Sequence, residues 1–464
     1  MSVMDRSRVY KLSQGTQMIQ GAHGTLLVNV ERGSWAKLSP EAGGYLSAVL
    51  GVSVGSVCDK LLERHGPSAA AEFVSTLENL TRMGLLDQHV GFGHVREGHP
   101  VGGWAQTWRI RRPQRAYFVV TENCNLRCST CYRGFQGVEA SPDEARRSAQ
   151  WIAQLGPDEV VVTGGEPALR NDLFDLIGIV SAGAKRTVLS TNATIIDTAT
   201  ARRIAQLGCD VQVSVESPDP DVHDSVRGEG SHMATVRGVE NLVAAGVRRL
   251  ELVTTVGNLS GFKPDAMEDF SRKLGATYHV SLFQPVGRGS TKALPLEDAF
   301  TFAGALIDHL EACWRRARGP ARSTLDRMMH PEPRARCGAG ERVIAVSARG
   351  MVYPCHLLYN PEMAISLDHA EELMRERGEI RAWVLPDVDT MPGCRNCDVR
   401  YFCGGGCRAA ALQVSSDISG QDPRCHGYRA FFRSMMWAWQ DGRAVGENLR
   451  SAREMLRCQR ELRQ

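Results

Sequence analysis

The sequence predicts an α/β protein whose centre is a partial, TIM-like (β/α)6 barrel, with an N-terminal α+β unit before it and a cysteine-rich unit after it. Three observations support this. The length of 464 residues suggests about three domains. Between residues 116 and 286, six β-rich apolar runs alternate with helical segments, as in a parallel sheet covered by helices. Ten of the 14 cysteines fall into two blocks, one directly after the first run and one after the last.

The predicted units follow one another along the chain, and composition marks their borders. Residues 91–112 are rich in Gly, broken by Pro and without periodicity, which is typical of a linker. Residues 331–427 are rich in Gly and Cys and have little core of their own, so we expect a metal to keep them folded. The predicted division is 1–90 for the N-terminal unit, 91–112 for the linker, 113–296 for the barrel, 297–330 for a helical bridge, 331–427 for the cysteine-rich unit and 428–464 for a C-terminal helical segment.

The N-terminal unit has the pattern of a winged-helix-like α+β domain. TQMIQG and TLLVNV are predicted strands on either side of a Gly-containing turn. Ser39 is a predicted helix N-cap with Pro40 in the first turn, and two amphipathic segments follow, each ended by Gly. LLDQHV closes the unit as a predicted wing strand. On its own this plan leaves DNA binding, protein interaction and a purely structural cap open.

Composition and charge narrow the class of protein. A net charge of +3 is small for this length and gives no reason to expect nucleic-acid binding. No run reaches the roughly 18–20 apolar residues of a membrane helix, and the N-terminus lacks the apolar core of a signal peptide. We therefore expect a cytoplasmic protein without membrane contact, in which closely spaced cysteines serve metal or redox chemistry. The isolated Cys58, Cys209, Cys313 and Cys458 are predicted to be small buried hydrophobic residues.

The first cysteine block consists of Cys124, Cys128 and Cys131, directly after the predicted strand AYFVV. Active sites of such barrels lie at the C-terminal ends of the strands. Three thiolates can hold three irons of a [4Fe–4S] cluster and leave the fourth open for a ligand. A zinc site is the alternative, but zinc favours four ligands, and no further Cys or His lies nearby in sequence.

This spacing resembles the defining motif of the radical S-adenosylmethionine (radical SAM) superfamily, and the resemblance extends over roughly residues 116–290. Thr163-Gly164-Gly165-Glu166-Pro167, after the second strand, is similar to the family's GGEP motif. The resemblance implies that its backbone and Glu166 hold the SAM amino group. Thr130 stands where the family usually has an aromatic residue or His against the adenine, and Tyr132 could compensate. Further implied SAM contacts are Ser190, Thr191 and Asn192 after the third strand, Ser214 and Glu216 on the fourth, and Gln284 and Val286 after the sixth.

The resemblance also implies the chemistry. A reduced cluster would pass one electron to SAM, and the resulting 5′-deoxyadenosyl radical would take a hydrogen atom from an unactivated C–H bond. An external donor such as flavodoxin or ferredoxin would supply the electron. No residue is predicted as a catalytic acid or base: His223, Asp224 and His356 could lie near the site, but their spacing gives them no role.

The second block resembles the SPASM extension of radical SAM enzymes, with Gly350 at the family's position between Cys337 and Cys355. The resemblance implies two auxiliary iron–sulfur clusters, and thus three clusters in total. Two [4Fe–4S] clusters need eight ligands but seven cysteines are present, so we expect an open iron on the first auxiliary cluster or a ligand such as His330. Zinc binding stays an alternative. The implied ligands are Cys337, Cys355 and Cys407 for the first auxiliary cluster, and Cys394, Cys397, Cys403 and Cys425 for the second.

Ahead of these modules, the N-terminal unit resembles the peptide-recognition element of ribosomal-peptide maturases, through TLLVNV and TRMGLLDQ. In that family a leader peptide adds a strand to the small sheet, and residues 24–37 would contain the edge strand. The leading hypothesis is a maturase that binds the leader of a precursor peptide and installs a thioether or carbon–carbon crosslink, an open auxiliary iron favouring thioether. The alternatives are a formylglycine-type maturase that oxidises Cys or Ser of a partner, and a non-enzymatic iron–sulfur electron carrier.

Overall fold

The computed structural model describes residues 6–90, 112–133, 138–291, 297–316, 328, 330–378, 380, 382–383 and 385–461. Apart from Arg112, the predicted linker lies outside the described residues, and so does most of the predicted helical bridge beyond residue 316. Within the described part of the chain, no helix combines the length and the apolar character that crossing a bilayer requires.

The N-terminal unit contains two small antiparallel sheets and two helices. Its elements are β1 (Arg8–Leu12), β2 (Thr16–Gly21), β3 (Gly24–Asn29), β4 (Ser34–Leu38), α1 (Pro40–Val49), α2 (Val54–Arg82) and β5 (Leu86–Val90). Strands β2, β3 and β4 form one sheet in that order, with β3 in the middle, and β1 pairs with β5. The closing strand is therefore present, but it pairs with β1, a strand of mixed polarity that the sequence pattern did not indicate.

Local sequence explains the helices of this unit. The Ser39 hydroxyl accepts a hydrogen bond from the Ala42 amide at 3.1 Å, which confirms the predicted N-cap of α1. Both predicted amphipathic segments are helical, and together they make up α2, in which the backbone leaves the helical conformation at Gly66, where φ is +82° before Pro67. Only Gly adopts this conformation readily, and Pro67 starts the second half without needing a donor.

The barrel consists of six parallel strands in chain order, which confirms the predicted alternation. Each strand is followed by one or two helices that cover the sheet, and the core between them is apolar. The elements are β6 (Arg115–Thr121), α3 (Pro142–Leu155), β7 (Glu159–Gly164), α4 (Leu173–Gly183), β8 (Arg186–Thr191), α5 (Thr198–Leu207), β9 (Asp210–Ser214), α6 (Pro220–Arg227), α7 (Ser231–Ala244), β10 (Leu250–Val256), α8 (Pro264–Lys273) and β11 (Thr277–Leu282).

The C-terminal part extends the same sheet and adds a helical layer. Strand β12 pairs parallel with β6, and β13 and β14 continue antiparallel, so among the described residues the sheet has nine strands, with β11 at one edge and β14 at the other. The remaining elements are α9 (Ala299–Arg316), β12 (Val343–Ser347), β13 (Met351–Tyr353), β14 (Ile365–Ser366), α10 (Leu367–Arg377), α11 (Arg400–Cys403), α12 (Arg408–Ser415), α13 (Cys425–Ala438) and α14 (Val445–Glu461). The sequence did not indicate that β12 joins the barrel sheet.

The N-terminal sheet packs against the C-terminal part of the chain. Leu26 and Val28 of β3 share an apolar core with α9, α13 and α14. Trp35 of β4 meets the Phe402 ring edge-on at 5.5 Å. Lys37, also on β4, donates to the Trp437 carbonyl at 2.7 Å, near the C-terminal end of α13, where a cation is favourable. The aromatic and Met stripe of α13 is buried in this core, as the sequence predicts.

The four isolated cysteines divide into two pairs. Cys58 and Cys209 are buried, as predicted, whereas Cys313 is half-buried and Cys458 is exposed. The prediction was wrong for Cys458 because it lies on the solvent side of the amphipathic helix α14.

Candidate active site

The first three cysteines lie in the loop that follows β6, at the C-terminal edge of the sheet. The Cys124 sulfur accepts a hydrogen bond from the Leu126 amide at 3.4 Å, and the Cys131 amide donates to the Cys128 carbonyl at 3.4 Å. Burial raises the pKa of Cys124 and Cys128, and the neighbouring thiols raise it further. All three cysteines lie in one short loop at the edge of the sheet, and their role as cluster ligands stays a prediction.

Two glycines at the end of β7 let this cysteine loop approach the sheet. The Gly165 amide donates to the Thr121 carbonyl at 2.9 Å, and the Glu166 amide donates to the Asn123 carbonyl at 2.8 Å. A Cβ on Gly165 would lie 2.1 Å from the Asn123 carbonyl oxygen, and one on Gly164 would lie 2.3 Å from the Thr121 carbonyl oxygen. Neither position accepts a side chain, so the glycines hold the backbone that leads into Cys124.

The side chain of Glu166 is committed to the protein itself. It is fully buried, and burial raises its pKa. Its Oε1 accepts hydrogen bonds from the Thr191 hydroxyl at 2.6 Å and the Ala168 amide at 3.1 Å, and its Oε2 accepts from the Asn192 amide at 2.7 Å. Of about four acceptor positions on a carboxylate, three are used. The Glu166 side chain thus joins the ends of β7 and β8, and the implied contact with the SAM amino group stays a prediction, best met by the motif's backbone.

The ends of β8 and β9 reach the cysteine loop through polar side chains. The Asn192 amide group donates to the Asn125 side-chain oxygen at 2.9 Å and lies 4.0 Å from the Cys124 sulfur. The Arg227 guanidinium, at the end of α6, lies 4.0 Å from the Cys128 sulfur and donates to Glu216 Oε1 at 2.6 Å. Arg227 is a residue near the thiols that the sequence analysis missed, because nothing in its local pattern distinguishes it.

Glu216 is held from several sides. Besides Arg227, the Thr255 amide donates to its Oε2 at 3.0 Å, and the Glu216 amide donates to His223 Nδ1 at 3.3 Å. Glu216 is therefore a structural partner of Arg227 in this structure, and its implied contact with SAM stays a prediction. His223 is fully buried behind it, and burial lowers its pKa to about 4. Asp224 accepts from the amides of Gly230 and His232 and so organises the start of α7 rather than the site.

The turn after β11 packs across the cysteine loop. A Cβ on Gly287, where φ is +60°, would lie 2.1 Å from the Tyr132 carbonyl oxygen. The Gly289 amide donates to the Cys131 carbonyl at 3.1 Å, and Arg288 donates to the Cys128 carbonyl at 3.0 Å. The Gln284 side-chain oxygen is buried without a hydrogen-bond partner among the described residues. An unpaired buried acceptor beside the thiols is what a site awaiting an adenine or another donor would present.

Tyr132, the residue that could compensate for Thr130 at the adenine, packs toward the second cysteine block, and its contact with adenine stays a prediction. Its ring meets the His356 ring edge-on, with centroids 5.4 Å apart. It belongs to an apolar cluster that also contains Cys337, Cys355 and Cys407. Tyr132 therefore connects the barrel's cysteine loop with the second cysteine block.

The seven cysteines of the second block form two groups. The Cys355 and Cys407 thiols interact electrostatically with Cys337. Burial raises the pKa of Cys355, Cys403 and Cys407 to about 12, so these thiols ionise only when a metal takes the proton's place. The second group is linked in the same way and consists of Cys394, Cys397, Cys403 and Cys425. This is the grouping that the resemblance implied.

A glycine turn separates the two groups. Gly404, Gly405 and Gly406 all have positive φ, between +66° and +84°, and the Cys407 amide then donates to Asp422 at 2.6 Å. Three successive left-handed residues reverse the backbone, which directs Cys407 away from Cys403.

Buried arginines fit two anionic clusters in this region. The Arg408 guanidinium is 1% exposed and acts on both Cys337 and Cys394. Its Nε, and both terminal nitrogens of the buried Arg424, have no hydrogen-bond partner among the described residues. Anionic iron–sulfur clusters would supply the missing acceptors.

His330, the suggested extra ligand of the first auxiliary cluster, lies elsewhere. It is exposed, and its ring packs against Trp439 near the end of α13, with centroids 5.7 Å apart. The imidazole beside this group of thiols is instead His356, whose Nδ1 lies 3.5 Å from the Cys355 sulfur.

Comparison with known proteins agrees with this geometry. Residues 118–274 match the model of the Radical SAM superfamily, which covers the strands from β6 to β10, the cysteine loop and the glycine motif. The chain is a radical SAM enzyme. The alternative of a non-enzymatic electron carrier is therefore wrong.

Relatives of this radical SAM enzyme include two kinds of protein. Mycofactocin maturase MftC of Mycobacterium ulcerans (strain Agy99) is 28% identical over 332 residues, which are 67% of this chain and 87% of the relative. AdoMet-dependent heme synthase of Nitratidesulfovibrio vulgaris (strain Hildenborough) is 28% identical over 334 residues, 66% of this chain and 90% of the relative.

Solved structures with the same fold extend beyond the barrel. Streptococcus suis SuiB bound to precursor peptide SuiA matches with a TM-score of 0.52 at 13% identity, over 89% of this chain and 99% of SuiB. Native anSMEcpe with bound AdoMet matches with a TM-score of 0.54 at 17% identity, over 69% of this chain and 96% of that protein. At these identities the likeness concerns the fold alone.

Proposed function

We propose that this radical SAM enzyme is a SPASM-type maturase of a ribosomally made precursor peptide, and that it installs an intramolecular thioether or carbon–carbon crosslink. The observation that carries the proposal is the combination of a loop with three cysteines at the C-terminal edge of the barrel sheet and a small N-terminal sheet that packs on the C-terminal part of the chain. The maturase name of one relative, and the precursor peptide in the SuiB structure, support the choice of substrate.

The chain's own residues divide the work as follows. Cys124, Cys128 and Cys131 would hold a [4Fe–4S] cluster with an open iron. The backbone of residues 163–167 and the ends of β8, β9 and β11 would hold SAM. When bound, the cluster and SAM together supply a 5′-deoxyadenosyl radical. Arg227 places a positive charge beside the Cys128 sulfur and favours its thiolate form. The turn after β11 covers the loop and keeps water from it.

The N-terminal sheet would bind the leader peptide at the outer edge of β4. Among the described residues, β4 pairs only with β3, so its other edge is available to a peptide strand. On β4, Lys37 contacts the end of α13 and Trp35 contacts Phe402, the residue before Cys403. A leader peptide bound at β4 would therefore lie beside the unit that would bind the second auxiliary cluster.

The enzymatic part of the proposal is tested by anaerobic reconstitution with iron and sulfide, followed by dithionite and SAM. We expect the wild type to release 5′-deoxyadenosine and Cys124→Ala to release none, since three ligands are needed to keep the open iron. Cys394→Ala is the matched control: it removes a ligand of the second auxiliary group and should keep peptide-independent SAM cleavage. Equal loss in both variants would contradict the assignment of distinct roles.

The leader-binding part is tested on the two edges of the sheet. Synthetic precursor peptides encoded beside the gene serve as probes in fluorescence anisotropy. Ala36→Pro on β4 should weaken binding about tenfold or more, because Pro blocks the edge of the strand. Gln20→Pro on the opposite edge strand, β2, should leave the affinity unchanged. Thermal unfolding confirms that both variants are folded, and the reverse pattern would assign the leader to β2.

A further inference from the structure

A pair of rings joins the barrel's cysteine loop to the first auxiliary group of thiols. Tyr132 directly follows Cys131, and His356 directly follows Cys355. The two rings meet edge-on at 88°, with centroids 5.4 Å apart. On its other side, the His356 ring stacks on Tyr117 of β6 at 3.9 Å and 28°. The imidazole is therefore clamped between two tyrosines that both belong to the barrel.

The direction of the hydrogen bond between His356 and Cys355 follows from the chemistry of the two groups. In the His356 ring, a nitrogen that carries a hydrogen donates and one without it accepts. The His356 Nδ1 lies 3.5 Å from the Cys355 sulfur. A cysteine that ligates iron is a thiolate, which only accepts hydrogen bonds, so Nδ1 carries the proton when a cluster is bound.

We propose that His356 is a positioning residue that donates a hydrogen bond from Nδ1 to the Cys355 thiolate and raises the reduction potential of the first auxiliary cluster. Reduction adds one electron and no proton to the cluster, with an external one-electron donor as the source. An N–H dipole that points at a ligating sulfur stabilises this extra negative charge and makes reduction easier. The role is independent of the peptide substrate.

The clamp gives the hydrogen bond its direction. The stack on Tyr117 fixes the ring plane, and the contact with Tyr132 fixes its rotation, so the imidazole has little freedom to turn away from Cys355. Tyr132 is itself held by Gly287, where no side chain fits beneath its carbonyl oxygen. The geometry of the barrel's cysteine loop thus sets the environment of a cluster in a different unit.

Redox titration of the reconstituted protein with dithionite, followed by electron paramagnetic resonance, tests the proposal. The signal of the first auxiliary cluster is assigned as the one that Cys337→Ala removes. His356→Phe keeps a ring but loses the donor, and we expect the midpoint potential of this signal to fall. His356→Asn loses the ring, but its side-chain nitrogen occupies the place of Nδ1, and we expect a potential close to that of the wild type. The other signals should not move in either variant.

Three results would overturn the proposal. His356→Phe could leave the potential of the first auxiliary cluster unchanged. Both variants could shift it equally, which would assign the effect to packing alone. Cys337→Ala could remove no signal, which would mean that His356 faces no cluster. Iron content and thermal unfolding of each variant establish that the protein is folded and loaded, and Tyr45→Phe, a ring change in the N-terminal unit, is a control that should move no signal.

Discussion

The barrel and the cysteine-rich unit bring cysteines together by different means. In the barrel, the loop with Cys124 sits between regular parallel strands, and Gly165 and Gly287 seat it against neighbouring backbone. In the cysteine-rich unit, β13 has three residues, β14 has two and α11 has four. Side-chain and backbone contacts of single residues, such as Asp422 and Arg408, connect its segments.

The two sites differ in the interactions that stabilise their structure. In the barrel, backbone hydrogen bonds from the ends of the strands hold the cysteine loop, and side chains such as Arg288 add to them. The auxiliary unit holds seven half-buried thiols and the buried guanidinium groups of Arg408 and Arg424 with little regular structure around them, which is costly without the acceptors and cross-links that clusters provide. We therefore expect the stability of the two sites to respond differently to removal of the metal, to a steric clash in the backbone and to a change of pH.

Removal of iron should have the largest effect, and it should be confined to the auxiliary unit. After chelation under anaerobic conditions, amide hydrogen exchange in residues 385–425 should increase strongly, because this segment loses its cross-links. Exchange in β6 to β9 should change little. Mass spectrometry of peptic fragments measures both regions in the same sample.

A matched comparison within the same experiment strengthens this test. The loop of residues 122–131 also loses a cluster on chelation, but strands and glycine turns surround it, so its exchange should rise less than that of residues 394–407. Equal increases in the two segments would show that the barrel loop depends on its metal as much as the auxiliary unit does, and the contrast between them would fail.

The second-largest effect is expected on the stability of the barrel, through the close backbone contact at Gly165. Gly165→Ala places a Cβ 2.1 Å from the Asn123 carbonyl oxygen, and neither backbone segment is free to move. Overpacking of this kind costs about 3 kcal/mol or more. Gly178→Ala in α4 is the control, since nothing lies within 4 Å of its Cβ position and Ala favours a helix by roughly 1 kcal/mol over Gly. Urea denaturation measures both changes.

The same clash should also lower the amount of iron that the cysteine loop binds. In Gly165→Ala, less iron should bind at the barrel site, while the auxiliary clusters reconstitute normally. A Gly165→Ala protein with the unfolding free energy and iron content of the wild type would mean that the close contact between β7 and the cysteine loop is not needed in solution.

Sequence alone predicted the regular part of the fold well. The barrel strands are five to seven residues long, and β6, β7, β8 and β10 are largely buried, so their apolar pattern is strong. The short strands β1, β4 and β14 were not predicted because their sequences are mixed in polarity and their pairing is set by distant segments. The place of β12 beside β6 depends on a contact across more than 200 residues, which no local pattern encodes.

The same limit applies to the site. Spacing singled out the ten cysteines that we propose as cluster ligands. The family resemblance assigned Glu166 and Glu216 to SAM; in the structure their carboxylates contact Thr191 and Arg227, and the SAM contacts stay predictions. Arg227 comes to the Cys128 sulfur from a separate element, α6, and no motif marks it. Its position follows from tertiary packing, which the sequence specifies only as a whole.

The smallest expected effect is a dependence of barrel stability on pH through His223. Its pKa in the folded protein is about 4, below the ordinary value of 6.5, because of burial, Arg227 and His232, with Asp224 acting in the opposite direction. Folding therefore favours the neutral form. The stability that this preference contributes is fully present above pH 6.5 and is lost as the pH falls toward 4. The shift corresponds to at most about 3 kcal/mol.

His223→Asn separates this effect from the titration of carboxylates. Asn keeps an acceptor for the Glu216 amide but does not titrate, so the difference in unfolding free energy between wild type and variant should shrink by up to about 3 kcal/mol between pH 7 and pH 4. His369→Asn, at an exposed position on α10, is the control and should follow the wild type. Parallel curves for wild type and His223→Asn would show that His223 reaches water in the native state. The barrel site would then be less rigid than its hydrogen bonds indicate, and its contrast with the auxiliary unit would weaken accordingly.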